Sequence, residues 1–253
     1  MRIDAVRDNS LNGWLIGPVG NLVNFLADGM AIAGVTHRAL MALSGMPLIM
    51  AAAKDRLPNA ASRQAMQRLI EFTRDDAKFA KKEVDNGFTT VSSYHAVSAW
   101  AAVETTIEQT LANLIRNVDA AEAIILRDAP TLKVSKTTFE QAKRTCRNWE
   151  GTLQGLDTTM DRTLHMLAAF GLRVTLDGNN QQLLSELAEL RNVIMHRAGF
   201  VDQQFKNKCP WRQEKEGDLV HIDRPALGKY FDAAFDFQKS CCWRSPPAHT
   251  SRP

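Results

Sequence analysis

The sequence is short of cysteine, of aromatic residues and of charge of one sign. Its 253 residues include 4 Cys, none in a Cys-x-x-Cys pair, and the adjacent Cys241 and Cys242 cannot easily bind one zinc ion. We therefore expect neither a zinc finger nor a disulfide framework, and the pattern suits a reducing cytoplasm. With 2 Tyr and a formal net charge of +3, neither an aromatic RNA-stacking sheet nor a general polycationic coat is expected.

Long uninterrupted apolar runs are scarce as well. The first eight residues lack the apolar segment of a secretory signal. The stretch between Asp8 and Asp28 is free of charge but holds four Asn, three Gly and one Pro, whereas a membrane span wants about 20 predominantly apolar residues. We interpret it as a buried or partner-covered segment of a cytoplasmic protein that does not bind membranes. Membrane association through residues 9–53 is the alternative.

Apolar residues recur at helical spacing along most of the chain, which predicts an all-α protein. Residues 1–58, rich in Gly and Met, indicate an appendage of short helices. Residues 59–244 form the expected helical domain, with an inserted helical segment at about 119–172. The tail 245–253 contains three Pro and is expected to be disordered.

Several helix boundaries can be predicted within this domain. One amphipathic helix runs over about 59–86, and the next over about 91–117. A helix begins after Asp177 and ends near Gly199, and a last helix begins at Pro225. Between these last two helices lie a polar loop and a short alternating piece at 219–222.

Common catalytic motifs are absent from the sequence. It contains no Gly-rich phosphate loop, no dinucleotide fingerprint, no zinc-binding H-E-x-x-H and no G-x-S-x-G. The adjacent carboxylates Asp75 and Asp76 point about 100° apart on a helix, which favours solvation over magnesium binding. The sequence therefore predicts no metal site and no cofactor.

One constellation remains on the helix that ends near Gly199. Asn192 and His196 are four residues apart and share a face of the helix. Arg191 lies about 140° around the helix from His196 and so flanks that face. Arginine can hold the oxygens of a phosphodiester, and histidine can move a proton near neutral pH. RNA supplies its own nucleophile in the 2′-hydroxyl, so this chemistry needs no metal.

The bare spacing of this pair is not specific. Arg244 and His249 repeat it in the proline-rich tail, where no helix can form. The structural alternative is that His196 is favoured by the negative end of the helix dipole and that Arg191 forms a surface ion pair. The Asn that follows Arg191 and the placement on a strong helix make the pattern more specific, but local chemistry alone still favours the structural alternative.

A lone carboxylate, Glu104, lies on the apolar stripe of the helix over 91–117. A charge on a core-facing stripe is costly unless it is paired. Glu104 therefore either reaches solvent at the edge of the stripe or meets a buried Arg from another helix.

The residues around the motif resemble the HEPN superfamily of four- to five-helix domains, many of which are metal-independent RNases. Residues 183–205 (LLSELAELRNVIMHRAGFVDQQF) resemble its signature helix, with Arg191, Asn192 and His196 at the motif positions. Residues 93–115 resemble its apolar second helix, which often carries a Glu, and Glu104 matches that position. The resemblance covers about 59–243, but 119–172 fit poorly and 1–58 do not fit. It implies an antiparallel helical bundle.

The resemblance also implies a function. A homodimer would join two motif helices in one cleft and cut RNA to a 2′,3′-cyclic phosphate and a 5′-hydroxyl. His196 would be the acid or base and Arg191 the phosphate stabiliser, with Asn192 orienting the site. Glu104 would align Arg191, and Arg197 would add a phosphate contact or be an ordinary surface residue. The HEPN families involved act in bacterial toxin–antitoxin and anti-phage systems, which implies an antitoxin or defence partner.

Two further expectations accompany this resemblance. Lys206, Lys208 and Arg212 either extend a basic rim beside the cleft or simply solubilise their loop. Some relatives share the bundle without nuclease activity, so a non-catalytic module that binds a partner protein or RNA is the alternative function.

Overall fold

The computed structural model describes residues 13–172 and 174–242, and it confirms the all-α prediction. Helices make up 76% of the described residues, and no strand occurs among them. The helices are α1 (Gly13–Asp55), α2 (Ala60–Phe72), α3 (Arg74–Asp85), α4 (Thr89–Asn117), α5 (Ala121–Asp128), α6 (Phe139–Thr152), α7 (Thr159–Ala169), α8 (Gly178–Arg197), α9 (Gln203–Lys208) and α10 (Arg224–Cys242).

The prediction of short helices in residues 1–58 is wrong for the described part, because α1 is a single helix of 43 residues. It runs through Pro18 and Pro47, each of which removes one helical hydrogen bond. Packing of its buried side chains, among them Leu22 and Leu26, outweighs those local signals. Residues Gly17–Asp55 are long and apolar enough to cross a membrane, a test of length and composition alone.

The described residues form two compact units. Unit 1 contains the described residues of Met1–Ala27, Val97–Val220 and Lys229–Pro253, and unit 2 contains Asp28–Ala96 and His221–Gly228. Residue 58, the predicted edge of the appendage, lies in the turn between α1 and α2 within unit 2. The predicted division into 1–58 and 59–244 therefore differs from the division into compact units.

Unit 1 has a core of large, fully buried side chains from several helices. Its largest members are Leu22, Leu26, Leu111, Ile115, Ile125, Trp149, Met160, Met166, Leu167, Phe205, Tyr230 and Phe237. The segment 119–172 contributes α5, α6 and α7 to this core. Full burial of one such side chain contributes about 1.5–3 kcal/mol, so the core is the main stabilising element of the unit.

In unit 2 the predicted helix over 59–86 is divided at Thr73 into α2 and α3. The side chain of Asn59 accepts a hydrogen bond from Ser62 N at 2.8 Å and caps α2. The apolar stripe predicted for this region is wrong in its first half, because α2 has no buried residue and Leu69 is exposed.

The predicted boundaries around α8 and α10 are confirmed. Asp177 caps α8 by accepting from Asn180 N at 2.7 Å, and Ala198 and Gly199 end it with φ angles of 51° and 85°. Pro225 is the second residue of α10. The piece at 219–222 forms no strand and takes part in one isolated bridge, between Leu219 and Phe200. The tail 245–253 lies outside the described residues.

Candidate functional site

The motif residues lie where α8 leaves the core of unit 1. The middle of α8, residues 184–190, is buried. Arg191 and Asn192 are half-buried, and His196 is exposed in the last turn. The helix therefore anchors the motif at one end and presents its histidine to solvent at the other.

Arg191 is held between two neighbours. Its Nη2 lies 3.5 Å from Glu104 Oε2 on α4, and its Nη1 donates to Asn192 Oδ1 at 3.0 Å. The side chain of Glu104 is 48% exposed, so it lies at the edge of the apolar stripe and also pairs with an Arg of another helix. Such a half-exposed pair adds little stability, but it restricts where the guanidinium can point.

Asn192 continues this connection toward α9. Its Nδ2 lies 3.5 Å from Glu189 Oε2, and Glu189 Oε1 accepts from Lys208 Nζ at 2.8 Å. Glu189 is 5% exposed, so its charge requires this partner. The sequence analysis did not identify Glu189, although its spacing of three residues from Asn192 on one helix was an available signal.

Two clefts adjoin the motif, and different motif residues line each of them. A cleft of about 370 Å³ is lined by Arg191 and Glu104, and a second one of about 200 Å³ by Asn192 and His196. Within one chain, Arg191 and His196 therefore do not line the same cleft. Asn192 is the link between them, because it contacts Arg191 and borders the second cleft.

The larger cleft carries charges of both signs. Glu108 lies 3.0 Å from Lys143 Nζ and 2.5 Å from Arg147 Nε, and this hydrogen bond raises the pKa of Arg147. Burial, with smaller effects from neighbouring carboxylates, raises the pKa of Cys146 to about 12. The Cys146 thiol is therefore neutral at physiological pH and a poor nucleophile.

The three cations for which a basic rim or solubilisation of the loop were the alternatives, Lys206, Lys208 and Arg212, have partners within the protein. Lys206 Nζ donates to the Arg212 carbonyl at 2.6 Å, and Lys208 is engaged by buried Glu189. Arg212, with a side chain only 14% exposed, pairs with Glu186 and Glu214. These cations hold their loop in place, and solubilising it is not their main role. Arg197 pairs with Asp202 and is half-exposed at the second cleft.

Glu186 is the centre of a buried polar cluster that the sequence did not reveal. It accepts hydrogen bonds from Trp211 Nε1 at 2.5 Å, from Arg212 Nη1 at 3.0 Å and from the Tyr230 hydroxyl. Burial and the neighbouring Glu186 raise the pKa of Tyr230. The partners are 25 to 44 residues away along the chain, so no local pattern indicates them.

Exposed apolar side chains occur at the end of α8 and in the segment bridged to the residues that follow it. Met195 is 59% exposed, and Phe200 and Leu219, joined by the isolated bridge, are 50% and 59% exposed. Hydrogen bonds of 2.9 Å from Val201 N and Val220 N fix this segment. The end of α8 therefore combines a titratable group with an apolar surface.

Comparison of the chain with family models, with curated proteins and with solved structures gives no match. In residues 13–172 and 174–242, no group of three or more His, Cys, Asp and Glu side chains could hold a metal ion. The resemblance to HEPN domains thus rests on the sequence features given above.

Proposed function

We propose that this chain is a metal-independent endoribonuclease of the HEPN type that acts as a homodimer. Its biological role would be that of an effector in a toxin or anti-phage defence system. The observation that carries the proposal is the accessible end of α8, where exposed His196 follows an Arg191 held by Glu104 and Asn192. This arrangement provides a proton-transfer group and an oriented cation within about one and a half helical turns.

Each group has a place in the proposed reaction. The 2′-hydroxyl oxygen attacks the adjacent phosphorus and the bond from phosphorus to the 5′ oxygen breaks, which gives a 2′,3′-cyclic phosphate and a 5′-hydroxyl. His196 either takes the proton of the 2′-hydroxyl or gives a proton to the 5′ oxygen, and water or His196 of the second chain carries the other proton. Arg191 stabilises the charge on the non-bridging oxygens, and Asn192 and Glu104 position Arg191.

Two features support a site completed by a second chain. Arg191 and His196 line different clefts of one chain, so the partner would bring the two kinds of group together. The exposed apolar residues near His196 also provide surface for such a contact. Pairing two motif helices would double the positive charge of a chain whose net charge is only +3.

The test is cleavage of total RNA and transfer RNA in excess EDTA. We expect wild type to cut and to leave cyclic phosphate ends, and His196→Ala and Arg191→Ala to lose about 10²-fold or more in rate. Glu104→Gln should lower kcat more than it changes KM and leave stability unchanged, because Glu104 acts through Arg191.

Two controls match these variants. His165→Ala removes a histidine that is 42% exposed and bonded to Asp128, away from the motif, and should keep wild-type activity. Deletion of 245–253 removes His249, which with Arg244 repeats the spacing of Arg191 and His196. This deletion should also leave the cleavage activity unchanged. Equal cleavage by His196→Ala and wild type, or loss of cleavage in EDTA, would contradict the proposal.

The second candidate is a non-catalytic helical module that binds a partner protein or RNA. The exposed apolar residues Met195, Phe200 and Leu219 favour it, since they provide a contact surface without requiring chemistry. Growth arrest on expression, relieved by Arg191→Ala, would argue against a purely binding role. Unchanged arrest by this variant would favour it.

A further inference from the structure

The outward face of α1 in unit 2 carries a regular seam of apolar residues that begins at Asp28 and ends at Arg56, the residue just after the helix. From Asp28 to Arg56 the steps along the chain alternate between four and three residues, and all nine positions are exposed. These nine residues, called here the α1 seam, are Asp28, Ile32, Val35, Ala39, Ala42, Met46, Ile49, Ala53 and Arg56. The other face of the helix is packed within unit 2, where Ala33, His37 and Met50 are buried. The seam therefore has no covering partner within unit 2.

The spacing indicates that another helix covers this face. Alternating steps of three and four average 3.5 residues, the repeat that keeps one helix in register along another. Four such repeats occur in the seam, which is enough for a stable coiled coil. Ala39 and Ala42 at its centre let a second backbone approach closely. A lipid surface would require no such repeat.

We propose that the α1 seam pairs antiparallel with the α1 seam of a second copy of this chain. With a two-fold axis between Ala39 and Ala42, Ala39 of each copy faces Ala42 of the other copy. Ile32 then faces Ile49 of the second copy, and Asp28 comes within one helical turn of the second copy's Arg56. Opposite charges therefore meet at both ends, whereas a parallel pair would place like charges side by side.

The charge pair identifies the occupant as a second copy of the chain. Asp28 and Arg56 of one chain are about 42 Å apart along the helix, at 1.5 Å per residue, so they cannot meet within it. Their mutual attraction is available only when two antiparallel copies overlap along the whole seam. This inference concerns unit 2 and does not rest on the proposed nuclease, because the residues varied in its test lie on α1 or directly after it, and not on α8.

The first experiment measures the molar mass of the full chain by size exclusion with light scattering. Met46→Glu puts a charge on the seam, where Met46 is 38% exposed. Met41→Glu puts the same charge off the seam, where Met41 is 54% exposed. We expect Met46→Glu to halve the mass of wild type and Met41→Glu to leave it unchanged. Any contact through α8 would remain, so Met46→Glu would then keep the mass of the assembly that α8 alone holds together.

Three outcomes would overturn the pairing. They are a molar mass of 28.2 kDa, that of one chain, for wild type; an unchanged molar mass for Met46→Glu; and an equal loss of molar mass in the two methionine variants. Both substitutions are at exposed positions, and circular dichroism confirms that each variant is folded. Flotation of wild type with phosphatidylcholine–phosphatidylglycerol vesicles, lost in both variants, would assign the face to a lipid surface instead.

A charge exchange tests the antiparallel register. Asp28→Lys alone and Arg56→Glu alone each place like charges together twice per dimer, and we expect each to weaken self-association about tenfold. The double variant Asp28→Lys with Arg56→Glu restores opposite charges and should recover wild-type association. Failure of the double variant to recover would exclude this register and with it the proposed pairing.

Discussion

His37 is a buried histidine of α1. It is 1% exposed, and neither ring nitrogen has a partner among the described residues. Its ring centroid lies 4.4 Å from that of Phe88, a residue held at the positive φ of 64°. Burial, followed by the positive charge of Arg224, lowers the pKa of His37 below 6.5. The native state therefore contains the neutral ring.

This lowered pKa makes the stability of the chain depend on pH. The unfolded chain binds a proton at His37 below pH about 6.5, while the native state does so only at lower pH. The contribution of neutral His37 to the free energy of unfolding is thus complete above pH 6.5. It falls as the pH drops from 6.5 toward the pKa of His37 in the native state. His95, whose pKa burial also lowers, adds a change of the same sign.

We expect His37→Phe to raise the free energy of unfolding and to reduce its loss between pH 7.5 and 5. The phenyl ring keeps the contact with Phe88 and removes two buried nitrogens, which at neutral pH is worth about 1 kcal/mol. Urea unfolding at both pH values measures the effect, with exposed His165→Gln as the control. An unchanged difference between the two pH values would show that His37 does not titrate on unfolding.

At the scale of elements, α8 and the segment that follows it form one fixed structure. Backbone hydrogen bonds of 2.9 Å from Val201 N to Asp218 O and from Gly217 N to Val201 O close the loop over 202–217. Buried Glu186 and Glu189 attach this loop to α8 through side chains of α9 and of the residues after it. The loop thus supports the helix end that presents His196.

We expect Glu186→Ala to destabilise the chain by about 3–5 kcal/mol, because it removes the buried acceptor of Trp211 and Tyr230 and one of the two carboxylates that pair with Arg212. Glu186→Gln keeps acceptor capacity and should cost less, about 1–3 kcal/mol. Denaturant unfolding measures both. The matched control is Glu104→Ala, which breaks a half-exposed ion pair and should cost under about 1 kcal/mol. Similar losses for Glu186→Ala and Glu104→Ala would contradict this account.

These elements show what the sequence could predict. The ends of α8 and the start of α10 follow from local chemistry, since Asp177 caps, Gly199 terminates and Pro225 begins a helix. The continuity of α1 could not be predicted, because its Pro and Gly are overridden by packing with residues distant in sequence. For the site, the positions of Arg191, Asn192 and His196 on α8 follow from spacing. The partners of Glu186 do not follow from spacing, because they depend on the tertiary fold.

At the scale of the molecule, unit 1 is assembled from three separate stretches of chain. The last of them is the part of α10 from Lys229 onward, which buries Tyr230, Phe231 and Phe237 in the core. Full burial of each of these aromatic residues contributes about 1.5–3 kcal/mol. Since a domain is stable by only about 5–15 kcal/mol, this stretch is essential to the unit.

A chain that ends before Lys229 should therefore lose the cooperative unfolding of unit 1. Thermal unfolding followed by circular dichroism and by tryptophan emission checks this, because buried Trp149 reports on the core. Deletion of 245–253 is the control and should keep the wild-type transition. A cooperative transition at the wild-type temperature without residues 229–253 would show that α10 is dispensable for the core.

The contribution of α10 to the core also determines when unit 1 can fold during translation. A ribosome releases the chain from its first residue onward, so α8 with His196 emerges before α10. The residues from Tyr230 to Gln238 are synthesised after all other buried residues of unit 1, and its core stays open until then. A nascent chain would thus expose the motif helix on an unfinished core. If the chain is a nuclease, the synthesising ribosome and its message would be spared until α10 has been made.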